Sequence, residues 1–488
     1  MIKVSGAPGA SEVEEAVLFA FDEVCIPFRR NLITHLIPGK MRSKTQIVVP
    51  KGDSTSHDDS LHYYGTTIKV GDEYKMWYNG RIGVNSQLAN MEGFEGRLCH
   101  AVSKDGVNWE KPSLGLVKFN GSKDNNIVLL PDETDIMAGI VLYEPDDPDP
   151  NKIYKLNYES GREDRHCRMC VAYSPDGIHW TPSPNNPVGP RLEQAGLINW
   201  NGCYYVNGQG PGHAGIQRKM HTYVSYDFEN WSEASVLGLI RQPIIDGPTK
   251  DDITRTGEEV HLGASLHHRG NIILGIYGQW HGHPTGDRRW VTVDLGLLIS
   301  HDAMHFHEPI KDYKFISGRE EPESTQGWGP ALMQGQGMVN VGDETQYWYS
   351  LWRHDGQVRL TTWERDRFGY MKTYPVNPVD YRPGAQLMTC PLESLDGPGE
   401  AFLNVSGLGE YASLRVEVLD EKFNPIKGYS GDEAAVVRES GLRVPLRWPG
   451  GDTLPNLGGP VRLNIYFGPV SPECVRPEDI RFYCIYVT

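Results

Sequence analysis

The sequence is poor in the features that define several protein classes. Its 488 residues include only eight cysteines, at positions 25, 99, 167, 170, 203, 390, 474 and 484, and this wide spacing excludes a small scaffold built on disulfides. Apolar runs stay well short of the roughly 18 residues that a membrane-crossing helix needs. The 47 basic residues are outnumbered by 63 acidic ones. Because no basic patch stands out, we expect neither a nucleic-acid nor a membrane partner.

The start of the chain lacks the pattern of a secretory leader. Residues 1–4 are followed by acids at 12, 14 and 15 rather than by the basic head and apolar core of a signal peptide. We therefore expect a cytoplasmic protein, with a mature secreted form as the alternative.

A repeat of the form Ser-x-Asp-x-x-x-aromatic occurs four times. The copies span residues 103–109, 174–180, 225–231 and 300–306, and they end in Trp109, Trp180, Trp231 and Phe306. Ser and Asp oxygens of this kind hold the backbone N–H groups of a tight turn, and the aromatic ring can pack between neighbouring sheets. Their separations of 51 to 75 residues leave room for one four-stranded sheet each, as in a β-propeller.

Alternating, aromatic-rich runs precede each copy and indicate strands. A fifth set of strands at 329–341, 345–352 and 358–363 lacks the repeat. The sequence therefore predicts an all-β protein with a five-bladed β-propeller over residues 1–384, including an N-terminal extension over 1–44. Short strands between Pro/Gly turns predict a small C-terminal β-sandwich over 385–488. Residues 12–24 fit either a helix or a strand.

These features resemble the five-bladed β-propeller glycosidases, the fructosidase-like and arabinanase-like superfamily, in a branch that carries a C-terminal β-sandwich. The resemblance rests on the turn repeat and on the runs at 18–22, 74–79 and 144–155. It implies a central pocket with three carboxylates from the first three blades: a base or nucleophile, a transition-state stabiliser and a general acid. The best-known signatures of invertases and levanases are missing, so neither activity is expected.

Acidic residues recur where each predicted blade opens, which is the end of the strand nearest the axis. Glycoside cleavage uses two carboxyl groups across the bond, one of them protonated. Following the superfamily, we expect Asp58 as base or nucleophile, Asp135 as stabiliser and Glu193 as general acid. Any of these acids can also be an ordinary solvated charge at a strand end.

A polar insertion at 279–290 suits a loop over the pocket mouth, where Trp stacks on sugar faces and Arg binds hydroxyls or a carboxylate. An ordinary long hairpin is the alternative. The residues predicted to bind substrate, here and in blades four and five, are Asp252, Trp280, His281, Arg288, Glu323 and Trp328.

We expect no cofactor, with a structural metal ion in the funnel left open. Cys167 and Cys170 form a single CxxC pair, which without a second pair favours buried thiols over a zinc site. His281 and His283 lack a third ligand nearby in the sequence, so we predict no metal ligands among the site residues.

Together these patterns predict a glycoside hydrolase that removes a terminal sugar from an oligosaccharide or glycoside. Two alternatives stay open. A phosphorylase would need a cationic cluster for phosphate, which Arg288, Arg289 or His213 could supply; a carbohydrate-binding propeller would use its acids only as hydrogen-bond acceptors. The sugar, the linkage and the oligomeric state do not follow from the sequence.

Overall fold

The computed structural model describes residues 1–7, 9–41, 47–82, 96–133, 135–165, 168–210, 218–242, 256–320, 329–351, 356–374, 384–455, 459–468 and 476–488. The described residues fold into β-strands, with short 3₁₀ turns at Glu163–Arg165, Arg288–Trp290, Gly318–Glu320, Gly431–Glu433 and Pro477–Asp479. Within these ranges no helix has the length and apolarity that a membrane crossing requires.

Seven short strands lie before the first of the large sheets. They are β1 (Ile2–Ala7), β2 (Gly9–Val13), β3 (Ala16–Phe19), β4 (Phe28–Arg30), β5 (Leu32–Leu36), β6 (Lys40–Met41) and β7 (Ile47–Val49).

Five antiparallel meanders, in which consecutive strands pair, fill the middle of the chain. Meander 1 comprises β8 (Ser60–Val70), β9 (Glu73–Arg81), β10 (Gly96–Ser103) and β11 (Trp109–Glu110). Meander 2 comprises β12 (Ile136–Tyr143), β13 (Tyr154–Ser160), β14 (Met169–Ser174) and β15 (Thr181–Pro182). Meander 3 comprises β16 (Glu193–Trp200), β17 (Cys203–Gln209), β18 (Met220–Ser225) and β19 (Val236–Leu239). Meander 4 comprises β20 (Glu258–Arg269), β21 (Ile272–His281) and β22 (Thr292–Ser300), and meander 5 comprises β23 (Leu332–Val341), β24 (Glu344–Leu351) and β25 (Val358–Glu364). Strands β6 and β7 pair with β25, so the N-terminal segment completes meander 5.

The remaining strands follow meander 5. They are β26 (Gly369–Thr373), β27 (Ala385–Met388), β28 (Leu392–Ser394), β29 (Ala401–Ser406), β30 (Leu414–Asp420), β31 (Ala435–Val437), β32 (Gly441–Pro445), β33 (Val461–Phe467) and β34 (Arg481–Val487).

The first strands of the meanders contact one another in order, and β23 of meander 5 returns to β8 of meander 1, so the five sheets form a closed ring. Each pair of neighbouring meanders shares a buried apolar cluster. Side-chain amides also link neighbouring sheets: Asn207 on β17 exchanges hydrogen bonds of 2.8 and 2.9 Å with the backbone of Ala264 on β20. Because both faces of a sheet in the ring are covered, strands such as β21 are apolar on both faces.

The four copies of the turn repeat adopt one hydrogen-bonding pattern. In each copy the Asp Oδ1 accepts the backbone N–H groups two and three residues further on, at 2.7–2.9 Å. The predicted role of these side chains in the turns is therefore confirmed. The carbonyl of Gly177 also accepts the indole N–H of Trp180 from its own turn, at 3.0 Å, and that of Trp77 from meander 1, at 2.7 Å. The turns thus connect neighbouring sheets.

The N-terminal and C-terminal parts of the chain together form one two-sheet unit beside the ring. One sheet has the order β2-β1-β28-β33-β27-β4, with β30 beside β33 and β31 beside β30. The other sheet has the order β32-β29-β34-β26-β5, with β3 beside β34. Alternation in β30 buries Leu414, Val416 and Val418 in the core between the sheets. Residues 1–36 share sheets with 385–488 rather than extending the ring, because β1, β3 and β4 pair with C-terminal strands. The division into domains at residues 384 and 385 stays a prediction.

Candidate active site

A polar cavity of about 130 Å³ lies where the first strands of the ring meet. Its polar lining comes from four meanders and consists of Tyr64, Arg81, Glu159, Glu193, Arg218 and His261. Two carboxylates and two guanidinium groups therefore face the same small volume, an arrangement suited to binding a hydroxyl-rich or anionic ligand.

Glu193 is the first residue of β16 and lies half-buried at the cavity wall. Gln209 on β17 is paired with Glu193 in the sheet, and its side-chain amide donates a hydrogen bond of 3.2 Å to Glu193 Oε2. Arg218 in turn donates to Gln209 Oε1 at 2.9 Å. This chain of contacts fixes the Glu193 side chain in one orientation.

Glu159 is the second carboxylate of the cavity. It lies near the end of β13, a strand buried along its whole length, and only 1% of Glu159 is exposed. Strands β13 and β16 belong to neighbouring meanders, so Glu159 and Glu193 approach the cavity from two adjacent sheets.

Glu259 lies behind the cavity wall, with its Oε2 atom 3.7 Å from the Nε atom of Arg218. Its two carboxyl oxygens are buried without a hydrogen bond among the described residues. Burial raises the pKa of Glu259 to about 7, although the Arg218 guanidinium acts in the opposite direction. Near neutral pH, protonation of Glu259 therefore changes the charge next to Arg218.

We expect this buried carboxyl to make stability fall as the pH rises. The unfolded chain releases the Glu259 proton near pH 4.5, whereas the folded chain keeps it up to about pH 7. Stability contributed by the neutral form is thus present below about pH 4.5 and lost by about pH 7, an effect on the order of 3 kcal/mol. Denaturant unfolding of the wild type and of Glu259→Gln at about pH 5 and pH 8 checks this.

The Gln variant should be relatively more stable than the wild type at the higher pH, because it cannot ionise. Glu421→Gln, a change at an exposed glutamate of the two-sheet unit, serves as the control. Identical pH profiles for Glu259→Gln and the wild type contradict the prediction.

Of the three acids predicted to converge, only Glu193 lines the cavity. Asp58 is 2% exposed and lies outside the lining. Its Oδ2 atom accepts hydrogen bonds from the Tyr78 hydroxyl at 2.7 Å and from Lys111 Nζ at 2.6 Å. The Tyr78 hydroxyl and the Lys111 ammonium therefore hold the Asp58 carboxylate within meander 1.

Asp135 also lies outside the cavity lining. It precedes β12 and forms a backbone bridge to Gly96, and its carbonyl accepts the Gly161 N–H at 2.8 Å. Asp135 therefore occupies the seam between meanders 1 and 2. Neither Asp58 nor Asp135 therefore shares the cavity lining with Glu193.

Trp280 lies inside strand β21, and the predicted loop begins only after His281. Just 1% of Trp280 is exposed, and it packs against Val291, Val293 and Ala331. Its ring stacks on His261, with centroids 5.8 Å apart, and the Arg218 guanidinium lies 4.2 Å from its centroid. Instead of offering a face to a sugar at the mouth, Trp280 supports two cavity residues from behind.

His281 is bound on both ring nitrogens, 2.7 Å from Glu258 and 3.0 Å from Asp294. Burial disfavours the imidazolium, but the hydrogen bonds to Asp294 and Glu258 outweigh it and raise the pKa of His281. His281 thus links the exposed carboxylate of Glu258 to the buried carboxylate of Asp294.

Several predicted residues lie outside the described part of the structure. Asp252, Glu323 and Trp328 are among them, together with His213, Cys167 and the side chain of Arg288. Their predicted roles stay predictions.

The sequence prediction missed Glu159, Arg81 and Arg218. A second repeat in the sequence could have indicated these positions. The second strands of meanders 1, 2 and 3 carry, at or next to their last residue, Asn79-Gly-Arg81, Asn157-Tyr-Glu159 and Asn207-Gly-Gln209. The third position of each copy lines the cavity or binds Glu193.

No family model and no curated protein matches this sequence. Among solved structures, a glycosyl hydrolase from Bacteroides ovatus is similar to this chain, with 15% sequence identity and a TM-score of 0.43. The superposition covers 68% of this chain and 95% of that chain. A protein of the GH130 family of mannoside phosphorylases, described as containing glycoside hydrolases that target β-1,2-mannosidic linkages in Candida mannan, is 16% identical, with a TM-score of 0.43 and coverage of 70% and 97%. A family 43 arabinoxylan arabinofuranohydrolase from Bacillus subtilis is 13% identical, with a TM-score of 0.41 and coverage of 91% and 99%. These likenesses are too weak to assign a fold or an activity to this chain.

Proposed function

We propose that this chain is a glycoside-cleaving enzyme, in which the five meanders form a five-bladed β-propeller with its active site at the centre and the two-sheet unit is a β-sandwich. The observation that carries the proposal is the pair of carboxylates, Glu159 and Glu193, facing one cavity from adjacent meanders. Two carboxyl groups on either side of a bond are the machinery of glycoside hydrolysis.

The difference in burial between Glu159 and Glu193 suggests which catalytic role each one has. A terminal sugar occupies the inner part of the cavity, and its leaving group points to solvent. Half-buried Glu193 lies nearer the solvent side, where the glycosidic oxygen would sit, so we assign it as the general acid. Glu159, almost fully buried, then serves as the base or nucleophile at the sugar itself. This chemistry needs no cofactor.

The cationic lining holds the sugar. Arg81, Arg218 and His261 offer N–H donors to hydroxyl groups around the ring. Contacts of this kind that strengthen in the transition state add to the rate.

The two arginines also favour one alternative, a phosphorylase. Guanidinium groups bind phosphate in a bidentate manner, and Arg81 and Arg218 line the cavity that holds both carboxylates. In that reaction phosphate takes the place of water, and a single protein carboxyl group donates the proton.

The test is a screen of aryl glycosides and plant oligosaccharides, run with and without inorganic phosphate. We expect release of a free terminal sugar in the absence of phosphate. Turnover that occurs only with phosphate, with a sugar phosphate as product, assigns the phosphorylase instead. Sugars that bind without being cleaved would show a carbohydrate-binding protein and overturn the proposal.

A further inference from the structure

A second cluster of reactive side chains lies far from the cavity, where the two-sheet unit meets meander 4. Asp22 and Cys25 belong to the turn that follows β3, and His301 belongs to the turn that follows β22. One ligand atom from each of the three lies within 4.8 Å of the other two. Asp22 and Cys25 are 0% and 1% exposed, and the His301 side chain is 7% exposed.

The two oxygens of the Asp22 carboxylate have different surroundings. Oδ1 accepts the backbone N–H groups of Val24 at 3.0 Å and Cys25 at 3.3 Å, and it lies 3.1 Å from His301 Nε2. Oδ2 is buried without a hydrogen-bond partner among the described residues. An ion pair between Asp22 and His301 accounts for Oδ1 only, and Oδ2 keeps a lone pair available inside the protein.

Asn271 supplies the outer contacts that ligands of a metal ion commonly have. The Nδ1 atom of His301 lies 3.3 Å from the Asn271 carbonyl, and the Asn271 side-chain amide lies 3.2 Å from Cys25 Sγ. Asn271 Oδ1 accepts the Val17 N–H at 2.7 Å, which fixes the side chain. A histidine that binds a metal through one nitrogen usually donates its other N–H to a carbonyl or carboxylate.

We propose that Asp22, Cys25 and His301 bind a divalent transition-metal ion of the zinc type. Thiolate, imidazole and carboxylate together match the donors that Zn²⁺ prefers. On binding, the Cys25 thiol and the His301 imidazolium of the ion pair each release one proton to solvent, so the metal meets a thiolate and a neutral imidazole, and no electron is transferred. The cation then balances the charges of the thiolate and the carboxylate, so a neutral group is buried.

The ion would join the two-sheet unit to the ring. Its ligands come from segments far apart in the sequence, at 22–25 and 301, and its role would be structural because the cluster lies outside the cavity lining. This proposal does not depend on glycoside cleavage, so either can fail alone.

The test uses the untagged full chain, kept reduced and stripped of metal with a chelator. We titrate it with Zn²⁺ against a chromophoric competitor and, separately, with Co²⁺. The expected results are one Zn²⁺ per chain and a Co²⁺ spectrum with tetrahedral d–d bands and a sulfur-to-cobalt charge-transfer band. Zn²⁺ should also raise the melting temperature.

Cys25→Ser should lose the charge-transfer band and weaken Zn²⁺ binding by more than the about 10- to 100-fold that changes to outer contacts cost. Cys99→Ser, a change at an equally buried thiol of meander 1, should bind like the wild type. If Cys25→Ser does not fold, His301→Gln is titrated in its place. No uptake by the wild type, or equal uptake by the wild type and the ligand variant, overturns the proposal.

Discussion

Glu193→Gln should lower kcat on an unactivated glycoside by about 10²- to 10⁴-fold, the usual effect of losing a general acid. The amide keeps the shape of the carboxyl group and can still contact Gln209, which donates to Glu193 in the wild type. Folding should therefore be retained, and the melting temperature should stay near that of the wild type. Steady-state kinetics on a natural oligosaccharide measures the loss.

Substrates with different leaving groups distinguish the roles proposed for Glu159 and Glu193. An aryl glycoside with an acidic phenol needs little protonation, so it should recover much of the activity of Glu193→Gln. Glu159→Gln should be impaired to a similar degree on both kinds of substrate, because its role at the sugar does not depend on the leaving group. Glu421→Gln, far from the cavity, should match the wild type.

The same experiment compares the cavity pair with the acid predicted from the sequence. If Asp58→Asn abolishes activity in a folded protein while Glu159→Gln does not, Asp58 is the base or nucleophile and the pairing of Glu159 with Glu193 is wrong. We expect instead that Asp58→Asn mainly affects stability, because its carboxylate is engaged by Lys111 and Tyr78.

Much of the fold could be predicted from local patterns in the sequence. The turn repeat could be interpreted from sequence because the Ser and Asp side chains act on backbone groups only two or three residues away. The strands of meander 5 were placed to within three residues at each end for the same reason, since alternation is a local property.

Pairing between distant segments was not accessible in this way. The pattern of residues 12–24 fits either a helix or a strand. Part of this segment, β3, is a strand because it pairs with β34, which lies near the other end of the sequence. The contribution of β1, β3 and β4 to sheets with C-terminal strands likewise depends on partners more than 350 residues away. No periodicity within the N-terminal segment encodes them.

In the candidate site, too, some features follow from the local sequence and others depend on contacts between distant segments. Glu193 could be selected because it opens a strand, but the direction of a side chain at a strand end depends on the register with its neighbour. Asp58 precedes β8 and turns into meander 1, where Lys111 binds it. Glu159 enters the cavity from a second strand, and only the arrangement of the sheets around the axis shows this.

Trp180→Ala should lower the free energy of unfolding by about 3–5 kcal/mol, the usual cost of removing a large buried aromatic side chain. Trp180 is 2% exposed and packs in the apolar cluster between meanders 1 and 2, which also contains Trp77 and Leu156. The change leaves a cavity between two sheets. It also removes one of the two indole N–H groups that the Gly177 carbonyl accepts.

Denaturant unfolding followed by far-UV circular dichroism measures this loss. Trp290→Ala is the matched control, because Trp290 is 51% exposed and a surface substitution usually changes stability by no more than about 0.5 kcal/mol. Equal losses for the two variants would contradict the role of Trp180 between the sheets. A large loss for Trp180→Ala alone supports the view that the ring is held together at the seams between neighbouring sheets, where each repeat places its aromatic residue.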